Sequence, residues 1–121
     1  MKERVRQITS RNGGRSLNSV AKEMRDYLRG WKEYYRLADT PGIFAELDGW
    51  IRRRLIAVQL KQWKRGTTAY RELRARGVPE RVARAASAHV HRWWRIAAHG
   101  ALKTAFPVHF FKELGVPELA A

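Results

Sequence analysis

The chain has 121 residues, with 25 Lys or Arg against 11 Asp or Glu, so its formal net charge is +14. A hydrophobic content of 45% excludes a disordered basic tail, and the length suits one domain with its own core. The absence of Cys excludes disulfides and thiol chemistry, and no apolar run approaches the ~20 residues that span a bilayer. We expect a cytoplasmic protein, because the first residues also lack the apolar core of a secretory signal. Its charge surplus destabilises an isolated fold by self-repulsion, so we expect a polyanionic partner.

The hydrophobic pattern predicts an all-α fold, because no stretch alternates polar and apolar residues long enough to insist on a strand. We expect a compact bundle of about five to seven helices. Two of them are long, at about 16–36 and 41–65, and shorter helices follow toward the C-terminus.

In the first half of the chain, a short helix at about 2–9 ends at the turn Arg11–Arg15, where Asn and two Gly permit positive φ. Ser16 is the expected N-cap of the first long helix. Thr40 is the expected N-cap of the second, with Pro41 at its first helical position.

In the second half, a helix at about 68–76 stops before Gly77. Pro79 opens an alanine-rich stretch that we predict to be one helix until Phe106-Pro107 break it. A last short helix covers about 108–114.

The first long helix carries two stripes at three- and four-residue steps. One is apolar and predicts a core face: Leu17, Val20, Ala21, Met24, Tyr27, Leu28, Trp31, Tyr34 and Tyr35. The other is cationic and predicts an exposed strip for a polyanion: Lys22, Arg25, Arg29, Lys32 and Arg36. Acidic residues fall beside this strip rather than within it, so they do not neutralise it.

Other cations are also candidate RNA contacts. Arg52, Arg53 and Arg54 fan over most of a helical circumference, so at least one must face outward, and another can reach an acid such as Asp48. Guanidinium suits phosphate because it pairs with it bidentately, and turns add backbone N–H groups. The remaining candidates lie at turns, at helix ends and around a Trp pair: Arg11, Arg15, Lys61, Lys64, Arg65, Arg92, Trp93 and Arg95.

The tryptophans divide into core and surface candidates. Trp31 lies on an apolar face and is expected in the core. Trp50 and Trp63 flank cationic rows, which favours core or cation–π packing while leaving base stacking open. Trp93 and Trp94 cannot both point inward on one helix, so at least one should be partly exposed and available to stack on a base.

The sequence offers no catalytic or metal-binding set. Glu46 and Asp48 are two residues apart on one helix and point away from each other, so they cannot hold paired metal ions. His89 and His91 are also two apart, and no Cys completes a site. We therefore expect no enzyme activity, no metal and no cofactor.

Three pieces of sequence together resemble a known family. They are R-S-L at Arg15–Leu17, L-R-G-W-x-x-Y-Y at Leu28–Tyr35 and L-D-x-W-I-R-R-R-L at Leu47–Leu55. The pattern, which covers Arg6 to Arg65, resembles the maturase-specific region of group II intron-encoded proteins. The tail resembles the later part of that region more loosely, at Tyr70–Gly77, Trp93–Arg95 and Phe110–Val116.

The resemblance implies the polymerase thumb plus the maturase domain, which in full-length relatives grips the intron RNA. Those relatives are RNA-directed DNA polymerases, but the Y-x-D-D carboxylates of their palm are missing here, as is any Cys-containing endonuclease module. We expect one maturase-like helical domain over 1–121, with thumb-like helices in 1–38 and maturase-like helices in 39–121.

The function that follows is binding of structured group II intron RNA to assist its folding and splicing. One alternative is the thumb portion of a reverse transcriptase that is active only when joined to a separate palm and fingers. Another is a basic helical DNA-binding module. Candidate partners besides the intron RNA are a DNA target during intron mobility and a separate palm; no membrane and no small-molecule substrate is expected.

Overall fold

The computed structural model describes residues 1–10, 16–35 and 41–119. Within those ranges the chain forms helices and no strand, which confirms the predicted all-α class. The helices are α1 (Lys2–Ser10), α2 (Leu17–Tyr35), α3 (Pro41–Trp63), α4 (Gly66–Ala75), α5 (Glu80–Ser87), α6 (Trp93–Ile96), α7 (Gly100–Ala105) and α8 (Val108–Glu113).

The two long helices lie where the sequence places them. The backbone N–H of Ser19 donates to Ser16 Oγ at 3.1 Å, so Ser16 caps α2 as predicted. Pro41 begins α3, while its predicted N-cap, Thr40, and the turn Arg11–Arg15 lie outside the described residues. α3 ends at Trp63, two residues early, because Lys64 adopts a φ of 58° that an α-helix does not accommodate.

Helix α3 is the centre of the fold. The four consecutive residues from Leu55 to Val58 are all buried, so the helix is covered around its whole circumference at this level. α1, α2, α4 and α6 all pack against it. The predicted core face of α2 includes fully buried side chains such as Met24 and Leu28, and α2 packs against α3. Trp31 lies at the margin of the core, half-buried, and packs edge-on against Phe44 with ring centroids 5.4 Å apart.

The alanine-rich stretch after Pro79 does not form one helix but three short ones, α5, α6 and α7. After Ser87 the hydrogen bonds tighten to three-residue steps, from His89 N–H to Ala86 O and from Val90 N–H to Ser87 O. Ser87 Oγ donates to Arg84 O, which competes with the helical pattern, and the following His and Val residues have modest helix propensity. The break turns the Trp pair of α6 toward α3.

The chain after α8 closes over α2 and α3. The backbone N–H of Leu119 donates to the buried Asp48 Oδ1 at 2.8 Å, and Lys32 Nζ donates to Glu118 O at 2.8 Å. Gly115, with a φ of 87°, lies against Arg25, whose Cδ would be 3.0 Å from a Cβ at this position. Arg25 and Lys32 are therefore half-buried, which corrects their predicted place on an exposed strip. The sequence of α2 alone could not predict that the segment after α8 covers these two side chains.

The described helices include none long and apolar enough to cross a bilayer.

Two glycines should respond oppositely to alanine. Gly30 is exposed inside α2 with nothing within 4 Å of an added Cβ, so Gly30→Ala should stabilise the fold by about 0.5–1 kcal/mol. At Gly66 the Cβ would lie 2.9 Å from Ser87 O, a backbone atom, so Gly66→Ala should cost about 1–3 kcal/mol. Urea unfolding midpoints measure both effects. An equal shift for the two variants would contradict the close packing of α4 against the end of α5.

Candidate nucleic-acid interface

One side of α3 carries aromatic and cationic residues in register. Trp50, Arg54 and Lys61 follow at steps of four and seven, so they point to the same side of the helix. α1 and α6 flank this side and add further cations and rings. We name the whole set the tryptophan–cation face: Lys2, Arg6, Trp50, Arg53, Arg54, Lys61, Trp93 and Trp94.

At the α6 end each tryptophan carries a cation over its ring. Lys61 Nζ lies 3.9 Å from the centroid of Trp93, and Arg53 Cζ lies 4.0 Å from the centroid of Trp94. Arg54 Cζ is 5.6 Å from the same Trp94 ring. All three distances are within the range of cation–π attraction. Both tryptophans remain half-buried, so part of each ring system faces solvent.

At the α1 end three cations surround one ring. The centroid of Trp50 lies 5.6 Å from Lys2 Nζ, 5.5 Å from Arg6 Cζ and 6.0 Å from Arg54 Cζ. Trp50 is half-buried, and Lys2 and Arg6 are exposed. Arg54 therefore lies near both the Trp50 ring and the Trp94 ring and connects the two ends of the face.

Two arginines of the Arg52–Arg54 run also hold helices together. Arg53 Nε and Nη2 donate to Trp94 O at 3.1 and 2.8 Å, joining α3 to α6. Arg54 Nε donates to the hydroxyl of buried Thr9 at 2.9 Å, joining α3 to α1. Neither reaches the carboxylate of Asp48, which accepts the Leu119 N–H instead. The side chains of Arg53 and Arg54 are thus held in different directions by contacts between helices.

Positive charge is concentrated on this face and is not paired with an acid among the described residues. The ion pairs between described residues join Arg4–Glu23, Arg25–Asp26, Arg84–Glu80 and Lys112–Glu118, and none includes a cation of the tryptophan–cation face. Burial lowers the pKa of Arg54, and the nearby charge of Arg6 lowers it further. Burial likewise lowers the pKa of Lys61, with a second contribution from Arg54. An anion placed among these three side chains would relieve their mutual repulsion.

The other predicted contacts are dispersed. Those exposed to solvent on α2, at the α3–α4 turn and around α6 are Lys22, Arg29, Lys64, Arg65, Arg92 and Arg95. Arg52 is half-buried on the side of α3 next to α8. Arg11, Arg15 and Arg36 lie outside the described residues. The structure thus brings Arg53, Arg54, Lys61 and Trp93 together and leaves the exposed cations as separate contacts.

Two members of the face, Lys2 and Arg6, were missed among the sequence-predicted contacts, and Trp94 was considered only as one of a Trp pair available for base stacking. Trp50 was left open between packing and stacking, and its cation–π packing is confirmed, as is the core position of Trp63 beside Phe106. A signal was present for α1, because Lys2 and Arg6 are four residues apart and share one side of a helix. Nothing in the sequence indicates that this side meets Trp50, since that contact is tertiary.

The histidines do not assemble with acids. His89 and His91 are exposed, with ring centroids 6.3 Å apart. In the described parts of the chain, no three His, Cys, Asp or Glu residues are grouped so as to hold a metal ion.

The helical core and the tryptophan–cation face identify the chain as a basic helical domain. A family model described as the group II intron, maturase-specific domain, matches residues 1–77, and the chain belongs to that family. This confirms the resemblance and gives the protein a maturase-related role in group II intron splicing. The maturase-specific domain is the non-catalytic part of reverse transcriptase/maturase proteins. No curated protein matches the chain. The match includes α1 and α3 of the tryptophan–cation face, whereas α6 lies beyond it.

The charge coupling within the face is measurable. Arg54→Gln should raise the pKa of Lys61, because it removes a nearby positive charge while burial of Lys61 persists. The readout is the pH titration of the Lys61 Cε resonance by NMR. Arg71→Gln, an exposed change on α4, is the control and should leave that pKa where it is. If both variants gave the same Lys61 titration as the wild type, the proximity of Arg54 to Lys61 would be refuted.

Proposed function

We propose that the chain binds structured group II intron RNA through the tryptophan–cation face and assists the folding and splicing of that RNA. The observation that carries the proposal is the composition of this face, in which five cations lie beside three half-buried tryptophans. None of the five cations forms an ion pair with an acid among the described residues.

The chemistry of the face suits RNA better than a generic anion. Phosphates would bridge the like-charged groups of Arg6, Arg54 and Lys61 and release counterions on binding. The exposed parts of Trp93 and Trp94 offer π surfaces on which unpaired bases stack, at about 1–3 kcal/mol per base. Folded RNA presents both features together, because its loops and bulges display unstacked bases beside the phosphate backbone.

The proposed contribution to splicing is thermodynamic. A ligand that binds only the splicing-competent fold shifts the RNA equilibrium toward that fold by mass action. The intron RNA itself performs the transesterification in this scheme. The protein cations take over part of the screening that diffuse Mg²⁺ otherwise supplies.

The family also favours a second role, as the thumb of a reverse transcriptase that works with a separate palm, and then with a DNA target during intron mobility. In that arrangement residues 1–38 would be thumb-like and 39–121 maturase-like; the boundary between them lies outside the described residues. A polymerase assay with and without a separate palm fragment distinguishes the two roles. Activity that requires both fragments would favour the thumb role.

Removing two cations from the face should weaken RNA binding more than removing two cations elsewhere. The test variant is Arg6→Gln with Lys61→Gln, and the control, of equal net charge, is Arg71→Gln with Arg81→Gln at exposed sites on α4 and α5. Because each lost phosphate contact reduces the salt dependence, the test variant should lower the log–log salt slope by about 1.4 to 1.8. The control should change affinity less than about threefold, since exposed charges act mainly through the diffuse field.

These constants are measured by filter binding across a salt series. Equal losses in the two variants would mean that net charge rather than the face determines binding. RNA affinity that barely changes with salt in the wild type would contradict the electrostatic basis of the proposal.

Splicing should follow the same pattern. At Mg²⁺ concentrations where a cognate group II intron misfolds alone, the wild-type chain should accelerate splicing of a radiolabelled precursor, and the Arg6/Lys61 variant should lose most of that effect. The Arg71/Arg81 variant serves as the control and should retain it. Identical splicing with and without the wild-type chain would remove the maturase role for the isolated chain and leave the thumb role.

A further inference from the structure

A groove of about 590 Å³ opens beside the tryptophan–cation face, between α3 and the chain from α6 to α8. Its volume is within the ~300–1,000 Å³ of small-molecule sites. Trp50 and Arg53 line the groove and also belong to the face, so the two surfaces are continuous.

Among the described residues, the charged side chains that line the groove are all cationic. They are Arg52, Arg53 and Lys103, with no Asp or Glu of the described chain beside them. Arg53 uses its Nε and Nη2 for Trp94 O, which leaves its Nη1 donors for an occupant. Arg52 leans over the opening, with Nη2 4.0 Å from where a Cβ at Gly49 would lie, and joins in no ion pair with another described residue. The occupant is therefore an anion.

The rest of the lining is apolar. Ile56, Phe106 and Phe111 come from the core and form part of the wall, and Val108 stands at the groove with 43% of its surface exposed. An exposed large aliphatic residue beside aromatic walls favours a flat apolar group. A nucleotide is a ligand that combines such a flat group with a phosphate, and it is the unit of the RNA proposed to bind the adjoining face.

We propose that this groove receives one unpaired nucleotide of the bound RNA, with its base against Val108 and the apolar wall and its phosphate at Arg52 and Lys103. The inference rests on the proposed RNA binding, and its basis is the continuity of the two surfaces. A backbone that crosses Trp50 and Arg53 on the face reaches the groove without leaving positive charge. Extruding a base costs least where it is already unpaired, so a bulge or loop nucleotide fits best.

The test uses a short RNA hairpin with a single bulged adenosine and the same hairpin with an abasic residue at that position. Gly49→Leu fills the groove at an exposed helical site and improves helix propensity, so the variant should fold. Gly30→Leu, at an exposed glycine inside α2, is the matched control. Circular dichroism confirms the fold of both, and titration at fixed salt gives the affinities.

The wild type and Gly30→Leu should bind the bulged base about fivefold or more tightly than the abasic hairpin. Gly49→Leu should bind both hairpins alike, because the Leu side chain fills the space for the base. If the wild type bound both hairpins with equal affinity and a steep salt dependence, the groove assignment would be overturned and the proposed function would stand. Binding of neither hairpin would instead count against RNA binding itself.

The alternative occupant is an acidic protein segment. It is tested by titrating a synthetic peptide of alternating Glu and Phe against the wild type and Gly49→Leu. Peptide binding that the Leu abolishes, with no base preference in the wild type, would make the groove a protein-docking site and overturn the proposal. No peptide binding together with a base preference that Gly49→Leu abolishes would support it.

Discussion

The burial of α3 on all sides at residues 55–58 is the constraint on which the rest of the structure depends. At residues 55–58 the helix has no solvent-exposed side. The same helix nevertheless carries four cations, Arg52, Arg53, Arg54 and Lys61. Buried cations are costly unless their charge is paired or their donors are bonded. In this fold Arg53 donates to a backbone carbonyl, Arg54 donates to a hydroxyl, and Lys61 lies over a tryptophan ring. Because no carboxylate takes part in these contacts, the helix keeps its positive charge.

This solution has a consequence for binding. Long cationic side chains lose rotamer freedom when they contact phosphate, at about 0.5–1.5 kcal/mol each. On the tryptophan–cation face the rings and hydrogen bonds already hold Arg53 and Arg54 in place, so part of that ordering occurs during folding rather than on binding. Exposed cations such as Lys22 and Arg29 have no such support in the described structure, and they contribute mainly to long-range attraction. In the proposed RNA complex, the two kinds of cation would therefore serve different steps of recognition.

Helical periodicity was sufficient to predict α2 and α3, because their buried faces repeat at three and four residues and Ser16 and Pro41 mark helix starts. It did not predict that the stretch after Pro79 divides into α5, α6 and α7. It could not predict what covers a helix from elsewhere in the chain. Arg25 and Lys32 share a side of α2 with Lys22 and Arg29, but the segment after α8 lies over only the first two. Lys2 and Arg6 join Trp50 only because Thr9 docks α1 on Arg54. In each case the missing information is a contact between residues far apart in sequence.

The same distant contacts connect the family-matched region to the residues that follow it. The match ends at residue 77, whereas α6 supplies the rings over which Lys61 and Arg53 lie. A chain cut at that point would leave both cations without their aromatic partners and Arg53 without the Trp94 carbonyl. It would also remove the hydrogen bond that the Leu119 N–H donates to Asp48. The proposed RNA-binding face is thus assembled from both parts of the chain, and α6 is as necessary to it as the helices that carry the family pattern.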